Sequence, residues 1–242
     1  VGNHDLDVGP QVLYNSLDTG FSTSAVPLIS ANLNLSGFPE LNQFIYPYII
    51  KQYDSVKIGI FGLTINDPSS NPFPVVINDS VIQIASATTT ALINQDCDII
   101  ICLSHMGFEF DNLMASVVPG IHIILGGHDH FLTHQPVFVP NPAGFSTIIC
   151  HPGSHYRYAG RLRFEYDNGN VLYENYSLVE INQSIPENTE IKNYVNSFKQ
   201  GIINKYGDVF QKITYAKRNI PPSWNDSSSF RDTPLGNLVT DA

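Results

Sequence analysis

Apolar and polar positions alternate between two textures along this chain. Residues 29–33 read as a short buried strand, and residues 56–63 (VKIGIFGL) as a second, with Gly59 and Gly62 allowing close backbone approach. Residues 80–94 carry apolar side chains at helical spacing and follow Asp79, a candidate N-cap. The uninterrupted run at 98–103 (DIIICL) predicts a strand buried on both faces. Residues 108–118 predict a helix stopped by Pro119-Gly120, and 121–125 (IHIIL) another buried strand. Strand, helix, strand, helix, strand implies a layered α/β core. Beyond residue 137 the elements become short strands, at 137–139, 146–150, 158–166 and 171–179, the last two joined by the turn Asp167-Asn168-Gly169-Asn170. Residues 187–206 then form an amphipathic helix with Gly207 as its stop, 221–229 read as loop, and 235–242 as a helix barely begun.

Three polar clusters interrupt this pattern. Gly2-Asn3-His4-Asp5-Leu6-Asp7 opens the chain, Ser104-His105-Met106-Gly107 follows the DIIICL strand, and Gly126-Gly127-His128-Asp129-His130 follows the IHIIL strand. Ligands of open α/β sheets bind at the carboxyl ends of strands, so two buried strands that each run into histidine place those imidazoles on one rim. Gly126 and Gly127 permit a sharp turn there, so that His128 and His130 can reach two different ions. Imidazole, carboxylate and amide oxygen together suit zinc, manganese or iron better than calcium. Taken singly, His105 reads as a hydrogen-bonded structural histidine and Gly-Asn-His-Asp as a turn. Three such motifs in this order favour metal.

The set resembles the calcineurin-like metallophosphoesterases, and within them the 5′-nucleotidase/UDP-sugar hydrolase family. That family orders its motifs as Asp-x-His, Gly-Asp, Gly-Asn-His-Asp/Glu, a lone His and Gly-His-x-His; the last three stand here as GNHD, SHMG and GGHDH. ISANL at 29–33, KIGIFGLT at 57–64 and TPLGNLVTDA at 233–242 also look like family segments. The resemblance implies a four-layer αββα metallophosphoesterase sandwich over residues 1–182, a linker helix at 183–207 and the start of a second α/β domain, concerned with substrate specificity, at 208–242. It implies two divalent ions, zinc or manganese, with Asn3, His105 and His128 on one and His130 on the other. His4 matches the catalytic histidine and Asp7 the carboxylate that orients it, while Arg231 is a candidate contact to a substrate phosphate. The implied activity is hydrolysis of nucleotide phosphate esters, with a hydroxide bridging the ions as nucleophile. Periplasmic, secreted or cell-surface location is expected on the same basis.

The departures matter as much. No Asp-x-His occurs in the chain, and its one Gly-Asp pair, Gly207-Asp208, falls after the linker helix and reads as a helix stop. One ion therefore lacks two protein ligands and both lack the bridging aspartate. Both ends read as cuts, and the 242 residues by themselves are expected to be inactive. A truncated relative serving as a binding or structural module, and a superfamily member acting on cyclic nucleotides or sulfur esters, are the alternatives. His122 is expected to face a layer interface; His134, His151 and His155 match no ligand position, and His155, in a loop that the resemblance places near the site, is a candidate neighbour of the ligands rather than one of them.

Composition narrows the partners. A formal net charge of −10 with 12 Lys and Arg argues against nucleic-acid polymers but not against a small nucleotide, because bound cations can dominate the local field. No run approaches the length of a membrane helix. Cys97, Cys102 and Cys150 have neither metal spacing nor an even number, and the last two are expected as buried thiols.

Overall fold

A computed structural model describes residues 1–20, 26–67, 76–167 and 169–211. Its first compact unit is Val1–Ser184, and its second is Ile185–Ala242.

The centre of the first unit is a six-stranded mixed sheet. Its strands are β4 (Tyr48–Tyr53), β5 (Val56–Thr64), β7 (Ile99–His105), β8 (Ile123–Gly126), β9 (Val137–Pro140) and β10 (Ser146–Cys150), in the spatial order β4-β5-β7-β8-β10-β9. β5, β7, β8 and β10 run parallel, while β4 and β9 close the two edges antiparallel. Two-residue strands β1 (Leu28–Ile29) and β3 (Ile45–Tyr46), and β2 (Leu33–Asn34) and β6 (Val76–Ile77), form two minor pairings. The run at 29–33 is thus a turn between β1 and β2, not one strand. Ser30 and Asn32 within it bond to each other and to Thr64, drawing the backbone away from extended geometry.

Side-chain alternation explains the layers. Ile100, Cys102, Ile124 and Ile149 point to one face, where helices α2 (Val81–Ile93) and α3 (Phe108–Val117) bury Val81, Ala85, Leu92, Met114 and Ala115 against them. Ile101, Ile123 and Ile148 point to the other, against Leu162, Phe164 and Tyr176 of the hairpin β11 (Tyr158–Asp167) and β12 (Asn170–Glu180). Helices, sheet and hairpin reproduce the α/β/β succession of the expected sandwich. β7 is not buried on both faces along its length: Leu103 is 41 % exposed, because the hairpin packs on Ile101 and leaves the following outward position open.

Several local expectations shift by a residue or two. The N-cap of α2 is Ser80 rather than Asp79, and its N–H donates to Asn78 Oδ1. Gly62 is required where β5 crosses β1, since a Cβ there would stand 2.4 Å from the Ile29 carbonyl oxygen. Cys102 and Cys150 are buried thiols as expected, and burial pushes Cys150 up to about 12. Helix α1 (Pro10–Gly20) and edge strand β4 had no clear signature in the sequence. α1 packs Leu17 into a separate small core with Leu6, Leu41 and Ile45.

In the second unit, α4 (Thr189–Tyr206) is capped by Asn188, whose side chain accepts from the Ile191 N–H, and ends at Gly207 with φ 79°. Gly207 is therefore the helix stop that the sequence indicated. The loop at 221–229, the short helix at 235–242, the TPLGNLVTDA segment and Arg231 lie outside the described residues.

Candidate active site

The loop end of the sheet gathers the three motifs. β7 and β8 are parallel neighbours with Ser104 opposite Gly126, so His105 and the GGHDH turn leave the sheet side by side. The GNHD segment reaches the same edge through Thr64, the last residue of β5, which lies opposite His105 and whose hydroxyl donates to the Val1 carbonyl oxygen at 2.8 Å. Asn3–Leu6 is one turn of 3-10 helix, pinned by buried Leu6 beneath it and by the Gly2 N–H, which donates to Asp5 Oδ2 at 2.8 Å.

A cavity of about 710 Å³ opens over these loops, lined by Asn3, His4, His105, His128, His130 and, across from them, His155 and its neighbours. Asn3 is buried, and its Oδ1 lies 2.9 Å from His105 Nε2. His105 and His128 stand edge to face with ring centres 5.3 Å apart. Burial, then the nearby His128, pulls His105 down to about 4, so its imidazole is neutral and able to ligate at physiological pH. His4 Nδ1 is 2.8 Å from Asp7 Oδ2, on the exposed side of the same segment.

The donor set can be compared with a divalent ion directly. Two donors each roughly 2.1 Å from a common ion are about 3.0 Å apart at a right angle and about 3.4 Å apart at the tetrahedral angle. Asn3 Oδ1 and His105 Nε2, in hydrogen-bond contact at 2.9 Å, are close to the right-angle spacing, and all the donors are of the type zinc and manganese accept. Among the described residues, His, Cys, Asp and Glu form no group of three or more that could hold an ion; beside His105 and His128 the third donor is an amide. Asn3 Oδ1 and His105 Nε2 thus stand together with the His128 ring beside them, and the His130 ring lies against that of His155 on the same cavity.

Beneath the loops lies a polar network that the sequence did not disclose. Asp111, on α3, accepts from Ser104 Oγ and is 2.8 Å from His151 Nε2, and both Asp111 and His151 are fully buried. Burial raises the Asp111 carboxyl above its ordinary range, against the opposing hydrogen bonds from His151 and Ser104. Ser104 Oγ also accepts the Met106 N–H, while Asp129 accepts the N–H groups of Phe108 and Phe131. Asp111 thus ties α3 to the segment carrying His105, and Asp129 ties the segment carrying His128 and His130 to the start of α3. Gly126 is required by the Asp111–His151 pair, since a Cβ would stand 1.9 Å from His151 Nε2. A lone Asp in the helix FEFDNLMASV, on the side of Met114 and Ala115, was the available signal.

The trifunctional nucleotide phosphoesterase protein YfkN of Bacillus subtilis is 29% identical over 275 residues, covering 99% of this chain and 18% of that protein. A 5′-nucleotidase of Diplobatis ommata is 28% identical over 260 residues, covering all of this chain and 44% of that one. The crystal structure of a 5′-nucleotidase precursor from Thermus thermophilus superposes with a TM-score of 0.75 at 25% identity, over 84% of this chain and 42% of that one. The chain is a 5′-nucleotidase/calcineurin-like phosphoesterase homologue. No protein-family model matches it. This homologue spans under half the length of the relatives above. No helix among the described residues is long and apolar enough to cross a membrane.

Proposed function

We propose that the protein carrying this chain hydrolyses phosphate esters of nucleotides, nucleoside monophosphates foremost, by a two-metal mechanism. The observation that carries this reading is the convergence of Asn3, His4, His105, His128 and His130 on one cavity at the loop end of the central mixed sheet. The relatives' own descriptions, nucleotide phosphoesterase and 5′-nucleotidase, support the substrate class. Residues 208–242 are read as the start of a substrate-specificity domain, in which Arg231 would contact phosphate, and a location outside the cytoplasm is part of the same proposal.

Asn3, His105 and His128 would hold one ion and His130 the other, with zinc or manganese the best match to these donors. Two divalent ions, when bound, neutralise a phosphoryl group and supply an activated nucleophile. His4 acts on the leaving group. Asp7 engages its Nδ1, which fixes the tautomer and leaves Nε2 as the nitrogen that faces the ester oxygen. So held, His4 can give a proton to the leaving oxygen as negative charge develops on it. The exposure of His4, 77 % at the side chain, fits a group that must touch substrate.

The test is phosphate release from nucleoside 5′-monophosphates by the full-length protein and its His4→Ala variant. A fall of about 10²–10⁴ in kcat is expected; turnover within a few-fold of the parent would defeat the assignment of His4. Divalent binding at His105 and His128 with no phosphate release from any nucleotide would instead mark a binding module without turnover.

A further inference from the structure

One imidazole at the cavity has no counterpart among the expected ligands. His155 lies edge to face with His130, ring centres 5.2 Å apart and planes at 62°. The pair His105–His128 has nearly the same arrangement, at 5.3 Å and 65°. An imidazole centre sits about 3.2 Å from an ion bound at roughly 2.05 Å, so two imidazoles at a tetrahedral angle have centres about 5.2 Å apart. Both pairs therefore have the spacing of two ligands on one ion.

Packing does not account for the second pair. His130 and His155 are both exposed, so no surrounding core holds one ring against the other. Their backbones hold them instead. The Gly153 N–H donates to the Phe131 carbonyl at 3.0 Å, the Thr133 N–H donates to the His151 carbonyl at 2.8 Å, and Leu132 bridges Pro152. The two loops are thus stapled immediately beside each histidine. Left-handed backbone is concentrated here too: of six non-glycine residues with positive φ among the described residues, four are His128, His130, His155 and Tyr156. Such conformations are uncommon outside glycine and persist where the surroundings enforce them, often at functional sites.

We propose that His155 is a metal ligand in this protein, joining His130 to form an imidazole pair for the second divalent cation. The proposal rests on the reading of His130 as a ligand given above. It would add a second nitrogen donor beside His130, which favours a borderline cation such as Zn²⁺ at that position.

Calorimetric titration with Zn²⁺ tests it, using metal-stripped full-length protein and the variants His130→Ala, His155→Gly and His105→Ala, with melting temperatures taken without metal. Glycine suits a left-handed position, so His155→Gly removes the imidazole without straining the loop. His130→Ala and His155→Gly should each weaken the same class of site at least tenfold and leave the other class intact, while His105→Ala weakens that other class. The imidazole ¹⁵N resonances of His155 should shift on Zn²⁺ addition and stay put in His130→Ala. If His155→Gly binds Zn²⁺ within twofold of the parent at both sites while His130→Ala loses one, the pair is an edge-to-face contact only and the proposal is overturned. If neither His130→Ala nor His105→Ala alters Zn²⁺ binding, the two-metal reading fails with it.

Discussion

At the scale of single residues, burial determines what each histidine can do. His122 lies just before β8, stacks on Phe145 with ring centres 4.5 Å apart, and accepts the Ile100 N–H through Nδ1. Burial lowers it to about 4, so it is neutral when folded. The unfolded chain takes up the proton at an ordinary histidine value near 6.5. His122 therefore contributes its full stability above about pH 6.5, and loses it as pH falls towards 4, where protonation removes the acceptor. The difference is on the order of 3 kcal/mol. His122→Asn keeps an acceptor but cannot protonate, and denaturant titrations should show a flatter pH dependence between 6.5 and 4 than in the parent. Identical slopes would remove His122 from the account. His4 and Asp7 are of the opposite kind, exposed and three residues apart, and so were readable from the motif; Asp7→Asn should lower kcat at least tenfold with little change in KM.

At the scale of elements, what could be read in the sequence was what repeats or clusters locally. DIIICL and IHIIL declared buried strands by their largely apolar runs, and the histidines after them declared the rim. The pair Asp111–His151 could not be found in this way. Its members are 40 residues apart, and only the packing of α3 against β10 shows that each supplies the other's partner. The same limit hid α1 and β4, whose mixed polar and apolar composition carries no clean period, while the turn residues Ser30 and Asn32 look apolar-strand-like only by their neighbours. Gly126 is where the hidden network becomes testable. Gly126→Ala forces a methyl into the Asp111–His151 pair and should cost about 3 kcal/mol by thermal or denaturant melting. Gly144→Ala is the control for a glycine with nothing near its absent Cβ, though its own φ of 94° adds backbone strain. A Gly126→Ala variant as stable as the parent would contradict the close approach described.

At the scale of the molecule, one sheet organises everything the function needs. Helices α2 and α3 seal one face, the β11–β12 hairpin covers part of the other, and the open loop end collects side chains from positions 3 to 158 around a single cavity. A strongly acidic protein can still take an anionic substrate there if divalent ions supply the positive charge. The central claim is therefore metal-dependent release of phosphate. Inorganic phosphate should be measured from a nucleoside 5′-monophosphate incubated with the full-length protein, before chelation, after EDTA, and after Mn²⁺ or Zn²⁺ is restored. Release that stops on chelation and returns with the metal is the predicted result; release indifferent to EDTA, or none under any metal, would contradict it.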